Sequence, residues 1–153
     1  MRNSRQLQLN QLDRKLASLH QVQLMGSPVR GWIYTIRKTL NMSLAQLGAK
    51  LKLSKQRVNM IEEGEVNGSL SLASLKATAE AMDMVLVYAL VPKDGSLDKL
   101  VERKSLELAQ KIIGHTHQNM QLEGQSIEEE QIKQAVIELA KSLKQTLNKA
   151  IWD

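Results

Sequence analysis

Ser54, Lys55, Gln56, Arg57, Asn59 and Met60 form a dense run of side chains able to read a nucleic acid. Glutamine carries an acceptor and donors side by side, so Gln56 can pair with adenine through two hydrogen bonds, while Lys55 can reach guanine acceptors or a phosphate. Met60 offers an apolar contact to a thymine methyl, Asn59 can bond backbone or base, and Ser54 can cap a helix and bond a phosphate. Arg57 and Lys50 are expected on phosphates, where contacts carry no sequence information, and Ser43 completes the expected DNA contacts. The remaining reactive groups suggest little chemistry. His115 and His117 point apart if helical, the third histidine is distant His20, and a metal needs three or four converging ligands. Glu128, Glu129 and Glu130 suit the positive end of a helix dipole without any catalytic role. With neither a phosphate-cradling glycine loop nor a nucleophile motif, we expect no enzyme, no cofactor and no metal.

Reading side chains need a rigid element to present them. Between Ser43 and Gly64, Leu44, Leu47 and Leu51 recur at helical spacing, polar Lys52 and Ser54 interrupt, and Val58 and Ile61 resume the period until Gly64 closes it. This pattern predicts a helix-turn-helix, whose second helix enters the major groove with its N-terminal residues on base edges. Gly48 fits a crossing where two backbones meet. Lys52 departs from the glycine often found in the turn and predicts a strained or differently shaped one.

Charge is unevenly placed over the 153 residues. Residues 1–60 hold 11 Lys and Arg against one acid, Asp13; residues 61–153 hold 10 against 15 acids, and the whole chain carries +5. A basic half containing the helix-turn-helix is the footprint of a nucleic-acid binder, and the acidic half is expected to face another protein. Hydrophobic residues at 42% suffice for a core, built without phenylalanine from Leu, Ile, Val, Ala and Met. Without cysteine, a signal-peptide core or a membrane-length apolar run, a cytoplasmic protein with no membrane contact is expected.

The expected architecture is mainly α: a five-helix-type repressor DNA-binding domain with one β-strand, and a C-terminal helical hairpin. Residues 1–26 read as an amphipathic helix with Leu9, Leu12, Leu16 and Leu19 on one face and Arg5, Arg14 and Lys15 on the other, although Gln6-Leu7-Gln8-Leu9 also alternates like a strand. Residues 27–92 read as the DNA-binding domain. In it Ser27 caps a helix with Pro28 at its first position, running from Val29 to Leu40, with Ile33, Ile36 and Leu40 inward and Trp32 as anchor. A polar link, residues 65–69, precedes a helix from Ser71 to Met82 with Leu72, Leu75, Ala79 and Met82 inward. Met84 to Val91 is a continuous apolar, β-branched run ended by Pro92 and reads as a strand. Nothing else in the chain reads as its partner, so Val85, Val87, Tyr88 and Leu90 are expected to pair with the same strand of a second copy, as an intermolecular ribbon in a two-fold homodimer on a palindromic operator.

Residues 93–153 read as the hairpin. Ser96 caps a helix to about Met120 whose pattern Gly114 and the two histidines break, and Ser126 with Glu129 forms a capping box for the last helix. Ile132, Val136, Leu139, Leu143 and Leu147 give that helix one apolar stripe, either partner surface or internal core.

The residues Gly31-Trp32-Ile33, Ile36-Arg37, the motif itself with its Ile61-Glu62-x-Gly64 close, Leu72 to Met82, and above all Leu86-Val87-Tyr88-Ala89-Leu90-Val91-Pro92 followed by Ser96-Leu97 resemble the mobile mystery protein A family, over about residues 5–110. That family carries a helix-turn-helix of the phage-repressor type and is encoded beside a Fic-domain protein, a fold that usually transfers AMP to protein hydroxyls. The resemblance implies an antitoxin that restrains the Fic protein and represses their shared operon. Fic inhibition often uses a helix bearing Ser or Thr, three residues, Glu, then Gly or Asn. Ser126 with Glu130 is the nearest match, but Gln131 follows and Ser126 also reads as a cap. The candidate partner-binding residues are therefore Ser126, Glu130, Ile132, Val136, Leu139 and Leu143. The alternative is a stand-alone dimeric repressor with no toxin partner.

Overall fold

A computed structural model describes residues 2–124 and 128–153. Its α-helices are α1 (Arg2–Ala17), α2 (His20–Met25), α3 (Trp32–Thr39), α4 (Leu44–Leu51), α5 (Lys55–Asn67), α6 (Leu72–Ala81), α7 (Leu97–Leu122) and α8 (Glu129–Thr146), followed by a short 3-10 helix, Lys149–Trp152. The chain divides into two units. An inserted unit spans Leu24–Ala89, and a discontinuous unit joins Met1–Gln23 to Leu90–Asp153.

The inserted unit is built by α3–α6, four helices among the described residues where five were expected, around Ile33, Leu47, Val58 and Met82 with Ile36, Leu51, Ile61 and Leu75 packed against them. Its first helix starts later than the Ser27-Pro28 pattern suggests. Gly31 N–H donates to Pro28 O at 2.9 Å, closing a turn, and α3 begins only at Trp32. The reason is a carboxylate from elsewhere in the unit: Glu65 accepts from the backbone N–H of Trp32 at 2.7 Å and of Ile33 at 2.8 Å, satisfying donors that the N-cap Gly31, without a side chain, does not. Gly31 sits at φ 80°, and a Cβ there would fall 2.8 Å from Glu65 Oε2, so both the conformation and the space demand glycine. Leu40 and Trp32, expected inward, are about half exposed, and Leu72 also faces out.

Glu65 belongs to α5 and not to a link. The helix continues through Gly64 to Asn67, and Gly68 at φ 77° ends it. Gly64 is instead a point of close approach, since its carbonyl accepts from Ser69 N and Leu70 N, and a Cβ would meet Ser69 Oγ at 3.3 Å.

Residues 84–91 form no strand in the described structure. An apolar β-branched run becomes a strand only against a ladder partner, and none of the described residues supplies one. Val85, Val87, Tyr88 and Leu90 stay exposed, up to 90% for Leu90.

In the discontinuous unit α7 and α8 pack as the expected hairpin, with α1 and the 3-10 helix against α7, around Val101, Ala109, Leu143 and Ile151. The N-terminal helix is not one piece, because it breaks at Ser18–Leu19, and Gln6–Leu9 is helical. Its inward row is Leu9, Asp13 and Leu16, while Leu12 faces out. Asp13 takes the inward place because it caps α7: its carboxylate accepts from Leu97 N at 2.6 Å and Asp98 N at 3.0 Å, beside the Ser96 hydroxyl that accepts from Lys99 N. The one acid of the basic half is thus a helix cap. His20 Nε2 also bonds the Gly95 carbonyl. At the same end Arg103 holds Asp94 through two bonds of 2.9 and 3.0 Å and reaches Glu107 at 2.8 Å. Hydrogen bonding to Arg103 lowers the pKa of both carboxylates.

Gly114 and the histidines do not interrupt α7, since the turn around them has its helical hydrogen bonds and one glycine only weakens a long helix. The last helix starts at Glu129 with Glu128 as its N-cap and no side-chain cap bond; Ser126, expected there, lies outside the described residues. No helix among the described residues is long and apolar enough to cross a membrane.

Candidate nucleic-acid interface

Two serines and a glycine fix the geometry of the reading helix. Ser43 caps α4, accepting from Gln46 N at 3.1 Å, while Gln46 Oε1 accepts from Ser43 N at 2.8 Å, a complete capping box. Ser54 caps α5, accepting from Arg57 N at 3.2 Å. Both hydroxyls therefore act first as caps. Between the helices Leu53 N–H donates to Gly48 O at 2.8 Å, and a Cβ on Gly48 would lie 2.5 Å from Leu53 O, so any larger residue would push the turn open. Lys52 takes the left-handed conformation, φ 57° and ψ 40°, at the cost an L side chain bears there. The strain read from the sequence is located at that residue.

Val58 is fully buried and anchors α5. The second anchor was not read from the sequence. Arg37 is buried with Glu62: Nε donates to Oε1 at 2.5 Å and Nη2 to Oε2 at 3.1 Å, while Nη1 donates to Met42 O at 2.9 Å. The hydrogen bond to Glu62 raises the guanidinium pKa against the opposing effect of burial. The forked pair ties α5 to α3 and to the chain entering α4. Apolar periodicity could not reveal it, because the partners lie 25 residues apart; the available signal was a charged residue at a core position of each helix.

Held this way, α5 exposes every expected reading residue: Lys55, Gln56, Arg57, Asn59 and Met60. Lys50 is exposed on α4. Among the described residues, Lys50, Lys52, Lys55 and Arg57 enter none of the ion pairs, so their charge is available for phosphates. Asn59 is engaged locally, donating to Glu63 at 2.7 Å. Nearby, the Arg30 guanidinium stacks 4.0 Å over the Tyr34 ring and donates to its hydroxyl at 3.1 Å, a pairing the sequence reading missed although the residues lie only four positions apart.

The hairpin residues fall differently. Val136, Leu139 and Leu143 pack into the core of the discontinuous unit, Ile132 is half-buried, Glu130 is exposed, and Ser126 lies outside the described residues. The dimer-strand residues line no ladder, although Val85 and Val87, with Trp32, Ile36, Leu75 and Ala79, border an apolar pocket of about 250 Å³.

The fold and exposed helix define a DNA-binding module. Residues 33–85 match the helix-turn-helix family, which supports an XRE-type, DNA-binding, transcription-regulating role for this segment. No curated protein and no solved structure matches the chain.

Proposed function

We propose that this protein is a dimeric, sequence-specific transcriptional repressor that binds the DNA controlling its own expression. The observation that carries this reading is the outer face of α5: Lys55, Gln56, Arg57 and Met60 stand exposed on a helix fixed by Gly48 and the Arg37–Glu62 pair. Dimerisation is supported by the exposed apolar run 84–91, whose backbone groups would be satisfied by an antiparallel copy of itself. Two reading helices would then address half-sites about 34 Å apart.

The reading is tested by titrating labelled DNA from upstream of the coding sequence, and random DNA, with the full chain. Gln56→Ala should cost roughly 1–3 kcal/mol on the specific fragment and relax preference at one base pair, whereas Arg57→Ala and Lys50→Ala should weaken both DNAs alike. Equal losses on both DNAs for Gln56→Ala would overturn the assignment. Tyr88→Pro should dissociate the dimer in sedimentation and abolish tight operator binding. A wild-type chain that stays monomeric at micromolar concentration would refute the ribbon.

Resemblance to mobile mystery protein A supports a further role as the antitoxin of a Fic-domain partner, which co-expression and pull-down with the product of a neighbouring Fic gene would test. The inward packing of Val136, Leu139 and Leu143 favours a second reading, in which the hairpin is scaffold and the protein a stand-alone repressor. Protection from the toxin that survives charge reversal across the exposed side of α8 would assign inhibition elsewhere.

A further inference from the structure

Asn59 and Glu63 lie one turn apart on α5, and Asn59 Nδ2 donates to Glu63 Oε1 at 2.7 Å. A carboxylate only accepts hydrogen bonds, so the amide is held with its nitrogen toward Glu63 and its carbonyl oxygen turned away. Glu63 also continues the outermost row of the helix, Gln56, Met60, Glu63 and Asn67, all exposed and spaced by four, three and four residues. Val58 and Glu62 occupy the opposite, buried side. A negative side chain on the row that enters a groove walled by phosphates lowers affinity for DNA of every sequence. What it supplies in return is the orientation of Asn59.

Resting on the DNA-reading role of α5, we propose that Glu63 is a positioning residue that locks the Asn59 amide with its oxygen toward the bases, so that Asn59 selects adenine or cytosine at one operator position. In the major groove adenine N6 and cytosine N4 are donors, whereas guanine O6 and N7 and thymine O4 are acceptors. The locked carbonyl bonds the first pair and repels the second. Adenine ranks above cytosine, because its N7 can also take the remaining amide N–H. Released from Glu63, the amide can turn over about its Cβ–Cγ bond and donate to guanine or thymine, and the selection is lost. If the contact were only a surface helix pair, its removal would change helix stability slightly and base preference not at all.

The test is selection of binding sites from randomised DNA by the full chain, followed by affinity measurements on single-base variants of the selected site. Wild type should enrich one sequence, and Asn59→Ala should flatten a single position in it, where wild type prefers adenine or cytosine by roughly 5- to 150-fold, the range one good base contact supplies. Glu63→Ala should admit guanine and thymine at that same position, and so should the shape-conserving Glu63→Gln, whose amide can accept or donate. Both Glu63 variants should bind random DNA more tightly than wild type. An enriched sequence whose Asn59 position keeps its preference in both Glu63 variants would overturn the lock alone, as would a wild-type preference for guanine or thymine there. Enrichment of no sequence by wild type would overturn the DNA-reading role and this inference together.

Discussion

Removing the Glu62 carboxylate leaves the Arg37 guanidinium buried without its partner, and the cost follows from how far both groups lie from water. Each residue is 5% exposed. Deleting one partner of a buried pair costs about 3–5 kcal/mol, because the other charge stays desolvated, whereas replacing both by apolar side chains of similar volume is often neutral or stabilising. A unit of about 66 residues has on the order of 3–10 kcal/mol of stability in all. Glu62→Ala should therefore remove from about three-tenths of it to all of it. The chain's two tryptophans fall one in each unit, Trp32 and Trp152, both well exposed. In a Trp152→Phe background, urea unfolding followed by Trp32 fluorescence thus reports the inserted unit alone. Glu62→Ala should shift its midpoint sharply downward, and Arg37→Met combined with Glu62→Leu should recover most of the shift. A single-variant loss below about 1 kcal/mol would place the pair with exposed ion pairs and refute the reasoning.

Gly48→Ala should destabilise the inserted unit by about 1–3 kcal/mol, since its Cβ would meet the Leu53 carbonyl at 2.5 Å, while Gly114→Ala, with no atom within 4 Å of the new Cβ, should stabilise α7 by about 1 kcal/mol in thermal melts. Lys52→Gly should raise the melting temperature of the inserted unit, because it relieves a left-handed lysine costing roughly 1–2 kcal/mol and loses less than that to unfolded-state entropy. The discontinuous unit should lose stability in acid. Asp94 and Glu107 have folded pKa values below their usual ones, so their contribution is complete above the ordinary carboxylate range and disappears as pH falls through the lowered values. Helicity measured from pH 6 to pH 2 should show this loss in wild type and a flatter profile in Arg103→Met.

The helix-turn-helix was legible because its signals are local. Leucines at helical spacing, Ser54 before the second helix and a glycine at the crossing are local features, and all of them appear in the fold, whereas Ser43, expected on DNA, also caps the first helix. Glycine 64 misled for the opposite reason. A helix stop and a close packing point have the same sequence appearance, and only the approach of Ser69 and Leu70 distinguishes them. The carboxylates of Asp13 and Glu65 were equally hidden, since each caps a helix 84 or 33 residues away and no local pattern marks the donor it will find. The apolar run 84–91 was read by composition as a strand, but a strand is a property of two segments. The pairing of Arg37 with Glu62 was hidden because a core charge is identified by its partner and not by its neighbours in sequence.

The bond between Asp13 and the head of α7 has a consequence during synthesis. Leu97 leaves the ribosome 84 residues after Asp13, a delay of about 4–17 s at 5–20 residues per second, so α1 emerges before any of the surface it will pack on exists. Closing an 84-residue flexible loop costs about 4 kcal/mol of chain entropy beyond a constant. The inserted unit occupies most of that loop and completes its own core from contacts within Leu24–Ala89, which removes the freedom of those residues before the ends have to meet. A weakened inserted unit should then slow the capture of α1 by α7 as well, although the two share no core residue.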